Sequence, residues 1–108
     1  MKQMIWLSFD LGIRGDYEGM YSFLDNHEAM ECGDNMAALQ FEWSGGDMVK
    51  SLQKSLKESV KTEKRSRIYV VFKDGTKVKG KFVVGKRKSS PWKGYGNLVT
   101  ADEEDVGE

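Results

Sequence analysis

At 108 residues, with 39% apolar side chains and 17 Lys and Arg against 17 Asp and Glu, the chain has the length and composition of one domain with a single core. No apolar run approaches the ~20 residues that span a bilayer. A lone cysteine, Cys32, excludes an internal disulfide, and one Cys with one His excludes a Cys/His zinc site within the chain. The balanced charge conceals segregation. Residues 1–47 carry two basic and nine acidic side chains, a net of −7. Residues 48–93 carry fifteen basic and three acidic ones, a net of +12, and residues 94–108 carry five acids and no base. A cationic block between two anionic ones can hold a phosphate backbone, an acidic partner or the chain's own tail. The cysteine usage fits a reducing compartment, and Met1 to Met4 lead into a strand-like run without a signal peptide's cleavage site, so the expected location is the cytoplasm, with no membrane contact.

The first predicted element is a strand over 4–11. Ile5, Leu7, Phe9 and Leu11 fall on one face at period two, with Met4, Trp6, Ser8 and Asp10 on the other. Gly12 and Gly15 break it. Asp16 is the expected N-cap of a helix over 17–26, with Tyr17, Met20, Tyr21 and Leu24 as its apolar stripe. Gly33-Asp34-Asn35 is a turn signal, which predicts strands over 29–32 and 36–43; the alternative leaves 29–35 as a loop. Leu39, Phe41 and Trp43 share a face of the second of these strands.

Asp47 is the next expected N-cap. Val49, Leu52, Leu56 and Val60 mark one face of a helix over about 48–62, and Lys50, Lys54, Lys57 and Lys61 recur on another. A hairpin follows over 67–84. Its β-rich run over 68–72 leads to Asp74-Gly75, a pair suited to the two central positions of a type I′ turn. Val78, Gly80, Phe82 and Val84 then share one face, and Lys77, Lys79 and Lys81 lie opposite, where they would guard an edge strand. Beyond Gly85 the periodicity ends. The expected organisation is a domain over 1–85, a basic aromatic segment over 86–100 and an acidic, disordered tail over 101–108.

Strand, helix, strand, strand, helix, strand is the order of an α+β, ferredoxin-like β-α-β-β-α-β sandwich, here with an additional C-terminal β-strand. Two helices would cover one sheet face and leave Trp6, Ser8 and Asp10 on the other. The stretch Trp6-Leu7-Ser8-Phe9-Asp10-Leu11, followed by a short loop and a helix bearing Tyr17 and Leu24, resembles the CRISPR-associated protein two and VapD superfamily. The resemblance covers roughly residues 4–84 in element order. It implies a ferredoxin-like fold, a homodimer, and either metal-dependent nuclease activity or nucleic-acid binding without cutting. The family's first-strand acid corresponds to Asp10. No second family position maps onto this chain.

Asp10 is the candidate catalytic and metal-binding residue. Hard cations such as Mg²⁺ or Mn²⁺ take carboxylate oxygens, and Asp10 would need its copy in a dimer or substrate phosphates to complete the site. The competing expectation is that Asp10 caps the loop 11–15. His27 and Cys32 could suggest a nucleophile pair, but nothing evident orients them; a buried structural Cys and a helix-end His are the favoured readings. Gly12-Ile13-Arg14-Gly15 has neither phosphate-loop spacing, and Asp16 would repel a phosphate there.

The candidate nucleic-acid contacts are Lys77, Lys79, Lys81, Lys86, Arg87, Lys88, Trp92 and Lys93, with Tyr95 nearby. Cations bind phosphates and aromatic rings stack on unpaired bases. The same residues could instead make a solvated edge, with Trp92 packed on the sheet. These features predict a small protein that binds RNA or DNA through its basic C-terminal segment, without catalysis and with no bound cofactor. The alternatives are a metal-dependent nuclease built on Asp10 and a protein-interaction module for an acidic partner.

Overall fold

The computed structural model describes residues 1–96; the tail over 101–108 and the end of the 86–100 segment lie outside the described residues. Five strands and two helices follow in the order β1 (Lys2–Asp10), α1 (Tyr17–Asn26), β2 (Met30–Gly33), β3 (Met36–Glu42), α2 (Met48–Ser59), β4 (Arg67–Asp74) and β5 (Lys77–Val84). The strands form one antiparallel sheet in the order β2-β3-β1-β4-β5, so the protein is α+β. No helix among the described residues is long and apolar enough to cross a membrane.

The sheet has one covered face. Register places Ile5 opposite Leu39 and Leu7 opposite both Ala37 and Val70. Ile5, Leu7, Leu39 and Val70 join Phe9, Phe41 and Ile68 in a single buried cluster with Met20 and Phe23 of α1 and Leu52 and Leu56 of α2. Both helices therefore lie on this face, where each buried large apolar side chain stabilises the fold by about 1.5–3 kcal/mol relative to exposure. The α1 stripe differs from expectation at two positions. Phe23 is buried and Tyr21 is 55% exposed, because the helix turns its Met20–Phe23 edge to the sheet.

Both predicted caps are present. The Asp16 carboxylate accepts from the Gly19 N–H at 2.9 Å, and that of Asp47 accepts from the Val49 N–H at 3.0 Å. The second oxygen of Asp16 also accepts the Lys61 N–H at 2.8 Å, which ties the start of α1 to the end of α2. There the helices approach so closely that a Cβ on Gly19 would collide with the Ser59 carbonyl. The segment left ambiguous by the sequence is a short edge strand, β2, paired irregularly with β3.

The β4–β5 hairpin corrects two expectations. Asp74 pairs with Lys77, so the central turn residues are Gly75 and Thr76 rather than Asp74 and Gly75. Gly75 takes the positive φ, +65°, which a β-branched Thr76 disfavours. The second correction concerns the face that Val78, Gly80, Phe82 and Val84 were expected to share, from which Val84 departs. Ile68 pairs with Val84 but Tyr69 pairs with Phe82, leaving Val83 as a bulge. The extra residue inverts the side-chain alternation. Val83 and Val84 are both buried, whereas Val78 and Phe82 share the open face with Tyr69 and Val71. Lys79 and Lys81, opposite the inward-facing Phe72 and Val70, project on the helix side of the sheet edge.

Candidate functional site

The open face ends in a charged corner. Asp10, the last residue of β1, pairs in register with Arg67, the first of β4. The Arg67 guanidinium donates directly to Asp10 Oδ2, and Arg87 Nη2 stands 4.0 Å from the same oxygen. Asp10 Oδ1 accepts the Gly12 N–H at 3.2 Å, so the expected loop cap is present. The Arg67 hydrogen bond, then that from Gly12, and the charges of both arginines hold the Asp10 carboxyl below its ordinary value of 3.8, against the opposing effect of burial.

The chain reaches this corner through Gly85. Its φ is +62°, and a Cβ there would collide with the carbonyl of the buried Ser66, so the backbone leaves β5 directly beside Arg67. Short turns follow, with Lys93 N–H donating to Ser90 O at 3.1 Å and Tyr95 N–H to Trp92 O at 3.1 Å. The result is a cleft of about 410 Å³ lined by Asp10, Arg67, Phe82, Arg87, Lys88 and Trp92, among others. Trp92 is 73% exposed, which sets aside the expectation that it packs into the sheet.

Of the sequence-predicted residues, the cleft gathers Asp10, Arg87, Lys88 and Trp92. Lys86 and Lys93 are exposed on the same segment without lining it. Lys77, Lys79 and Lys81 lie on the opposite side of the sheet from it, in register with Asp74, Phe72 and Val70. Lys79 pairs with Asp74 at 2.6 Å, and with Lys81 it borders a different hollow near the start of α2 that also contains Asp47. The helix lysines Lys50, Lys54, Lys57 and Lys61 are exposed on the helix layer, on the far side of the sheet from the cleft. Two lining residues on the sheet were missed. Arg67 was hidden in a run of cations, and Phe82 was grouped with Val84, which the bulge turns to the other face; the pairing of the ends of β1 and β4 was the one signal that could have singled out Arg67.

Hollows of about 440 and 640 Å³ lie near the β2 side of the sheet, but neither contains more than one Lys or Arg. The hollow near the start of α2 also has three cations, Lys73, Lys79 and Lys81, but they face two carboxylates, Asp47 and Asp74; the corner cleft sets three cations and two aromatic rings around one carboxylate. That carboxylate is a poor metal ligand in this setting. A Mg²⁺ or Mn²⁺ ion would compete with two guanidinium groups for it, and among the described residues no group of three or more His, Cys, Asp or Glu side chains is placed to hold a metal ion.

His27 and Cys32 have separate local partners. His27 ends α1 with Nδ1 2.7 Å from Phe23 O, and the Cys32 thiol lies 3.5 Å from Met30 O. Cys32 is exposed rather than buried, because β2 is an edge strand beyond the cover of the helices. Comparison with protein-family models finds no match, and comparisons with curated proteins and with solved structures find none either.

Proposed function

We propose that this protein is a ferredoxin-like, non-catalytic nucleic-acid-binding protein that holds phosphates in the Arg67–Arg87–Lys88 cleft. The ferredoxin-like reading is supported by the β-α-β-β-α-β element order, by the place of β1 between β3 and β4, and by the two helices on one face, with β5 as an addition. One observation carries the functional reading: Arg87, Lys88 and Trp92, from the segment after β5, meet Arg67 and Phe82 in one cleft. Arg67 is largely occupied by Asp10, whereas Arg87, at 4.0 Å, is only loosely held and is free to turn to a phosphate. Three cations against one carboxylate leave the corner net positive.

The test is fluorescence anisotropy with labelled oligonucleotides. Neutralising about three phosphates predicts an affinity loss on the order of 20-fold between about 50 and 200 mM salt. Binding that ignores salt, or no binding at low salt, would overturn the proposal. A second reading, homodimerisation through the open face, is favoured by the exposure of Met4, Val78 and Phe82 there. Sedimentation equilibrium distinguishes it, since a dimer would dissociate on dilution.

A further inference from the structure

The cleft opens onto the uncharged middle of the helix-free face. Phe82 lines the cleft together with Trp92 and also meets the Tyr69 ring edge-on, with centroids 4.9 Å apart. The Tyr69 ring in turn lies across Gly80, where an added Cβ would collide with the ring carbons and the hydroxyl. Glycine at that position is what lets the ring lie against β5. Trp6 follows one register step away on β1: Ser8 is opposite Tyr69, and Trp6 is opposite Val71. A run of aromatic side chains therefore leads from the arginines onto the sheet, and the middle of this face, between the corner and Lys2 and Lys73 at its far end, carries no cation among the described residues.

This asymmetry discriminates between forms of nucleic acid. A duplex offers phosphates along both strands and keeps its bases stacked inside, so it uses dispersed cations and makes little use of exposed rings. An unpaired strand offers base faces that stack on aromatic side chains, and it needs only local phosphate anchoring. We infer that the ligand is single-stranded nucleic acid, anchored by Arg67, Arg87 and Lys88 and laid with its bases on Trp92, Phe82 and Tyr69. The inference rests on the phosphate-binding reading above and specifies the strand state of its ligand.

The probes are a labelled oligo-dT and oligo-U of about 12 nucleotides, within the ~4–16 that one such surface accommodates, and a DNA hairpin of similar charge. Single strands are expected to bind at least about 10-fold more tightly than the hairpin and to quench tryptophan emission. Phe82→Leu and Trp92→Leu keep apolar bulk but remove the rings. Each should weaken single-strand binding by about 5- to 100-fold and hairpin binding by clearly less, with circular dichroism melts verifying the fold. Equal binding of hairpin and single strand, or leucine variants that bind oligo-dT normally, would overturn the strand assignment and leave the phosphate cleft standing. Absence of binding to every probe at low salt would overturn both. Oligonucleotide binding that occurs without change on a stable dimer lacking access to Phe82 would assign the open face to a second copy instead.

Discussion

On the helix-covered side of the sheet, Ile5, Leu7, Leu39, Phe41, Ile68 and Val70 are all 2% exposed or less; on the open side, Met4 and Phe82 are 42% exposed and Val78 is 68% exposed. The side chains are of similar kinds, and several alternate along the same strands. What separates them is the helix layer, so apolarity alone does not say which face becomes core. The covered face carries the folding free energy. The open face keeps apolar and aromatic surface in water, which costs solubility and is the feature on which the proposed binding rests.

Substitution on each face tests this contrast directly. Phe41→Ala should cost about 3–5 kcal/mol by urea unfolding, through lost burial and the cavity left behind. Val78→Ala should stay within about 0.5 kcal/mol, and a larger cost would mean that this face is buried in an assembly. Gly19→Ala should cost about 1–3 kcal/mol by forcing the helices apart at the Ser59 carbonyl.

Changes at the corner should move binding rather than folding. The double substitution Arg87→Ala, Lys88→Ala should reduce oligonucleotide affinity about 10-fold and lower the salt slope by about 1–2, with the melting temperature nearly unchanged. Asp10→Asn should raise affinity a few-fold by releasing both arginines, at a stability cost of about 0–1 kcal/mol because the pair is half exposed. The nuclease reading predicts the opposite for this variant: loss of cleavage with the fold retained.

The smallest expected effect is on pH dependence. Hydrogen bonds from Arg67 and Gly12 to Asp10, and from the Lys61 and Gly19 N–H groups to Asp16, lower both carboxyls from 3.8. Both ionise more readily in the folded than in the unfolded chain. Their contribution is therefore complete above the unfolded value and is lost as pH falls from there through the folded values. Unfolding followed by circular dichroism from pH 6 to about pH 2 should show this decline, and Asp10→Asn should flatten part of it.

The helices and the strands β1 and β3 were legible because local signals agree there: Asp16 and Asp47 cap helices, and Ile5, Leu7 and Phe9 alternate against water, whereas the exposed β2 shows no such alternation. The site was legible only in part. Arg87, Lys88 and Trp92 stood out as a basic aromatic cluster, but neither the partnership of Asp10 with Arg67 nor the entry of Phe82 into the cleft follows from composition. The first depends on pairing between residues 57 positions apart. The second depends on a bulge that alternation cannot report, since a one-residue offset is silent in a strand whose opposite positions are lysines on one side and mixed apolar residues on the other.

The extra residue at Val83 works as a parity switch for everything after it in the strand pairing. The hairpin register before it, from Asp74–Lys77 to Tyr69–Phe82, sends Lys79 and Lys81 to one side and Phe82 to the other; the extra residue then turns Val84 inward, and Gly85 returns the cations to the rim of the aromatic surface. Removing Val83 would bring Val84 against Ile68 and Phe82 against Tyr69 as consecutive pairs, an unbroken ladder with the wet and dry sides of β5 unchanged but one buried side chain fewer.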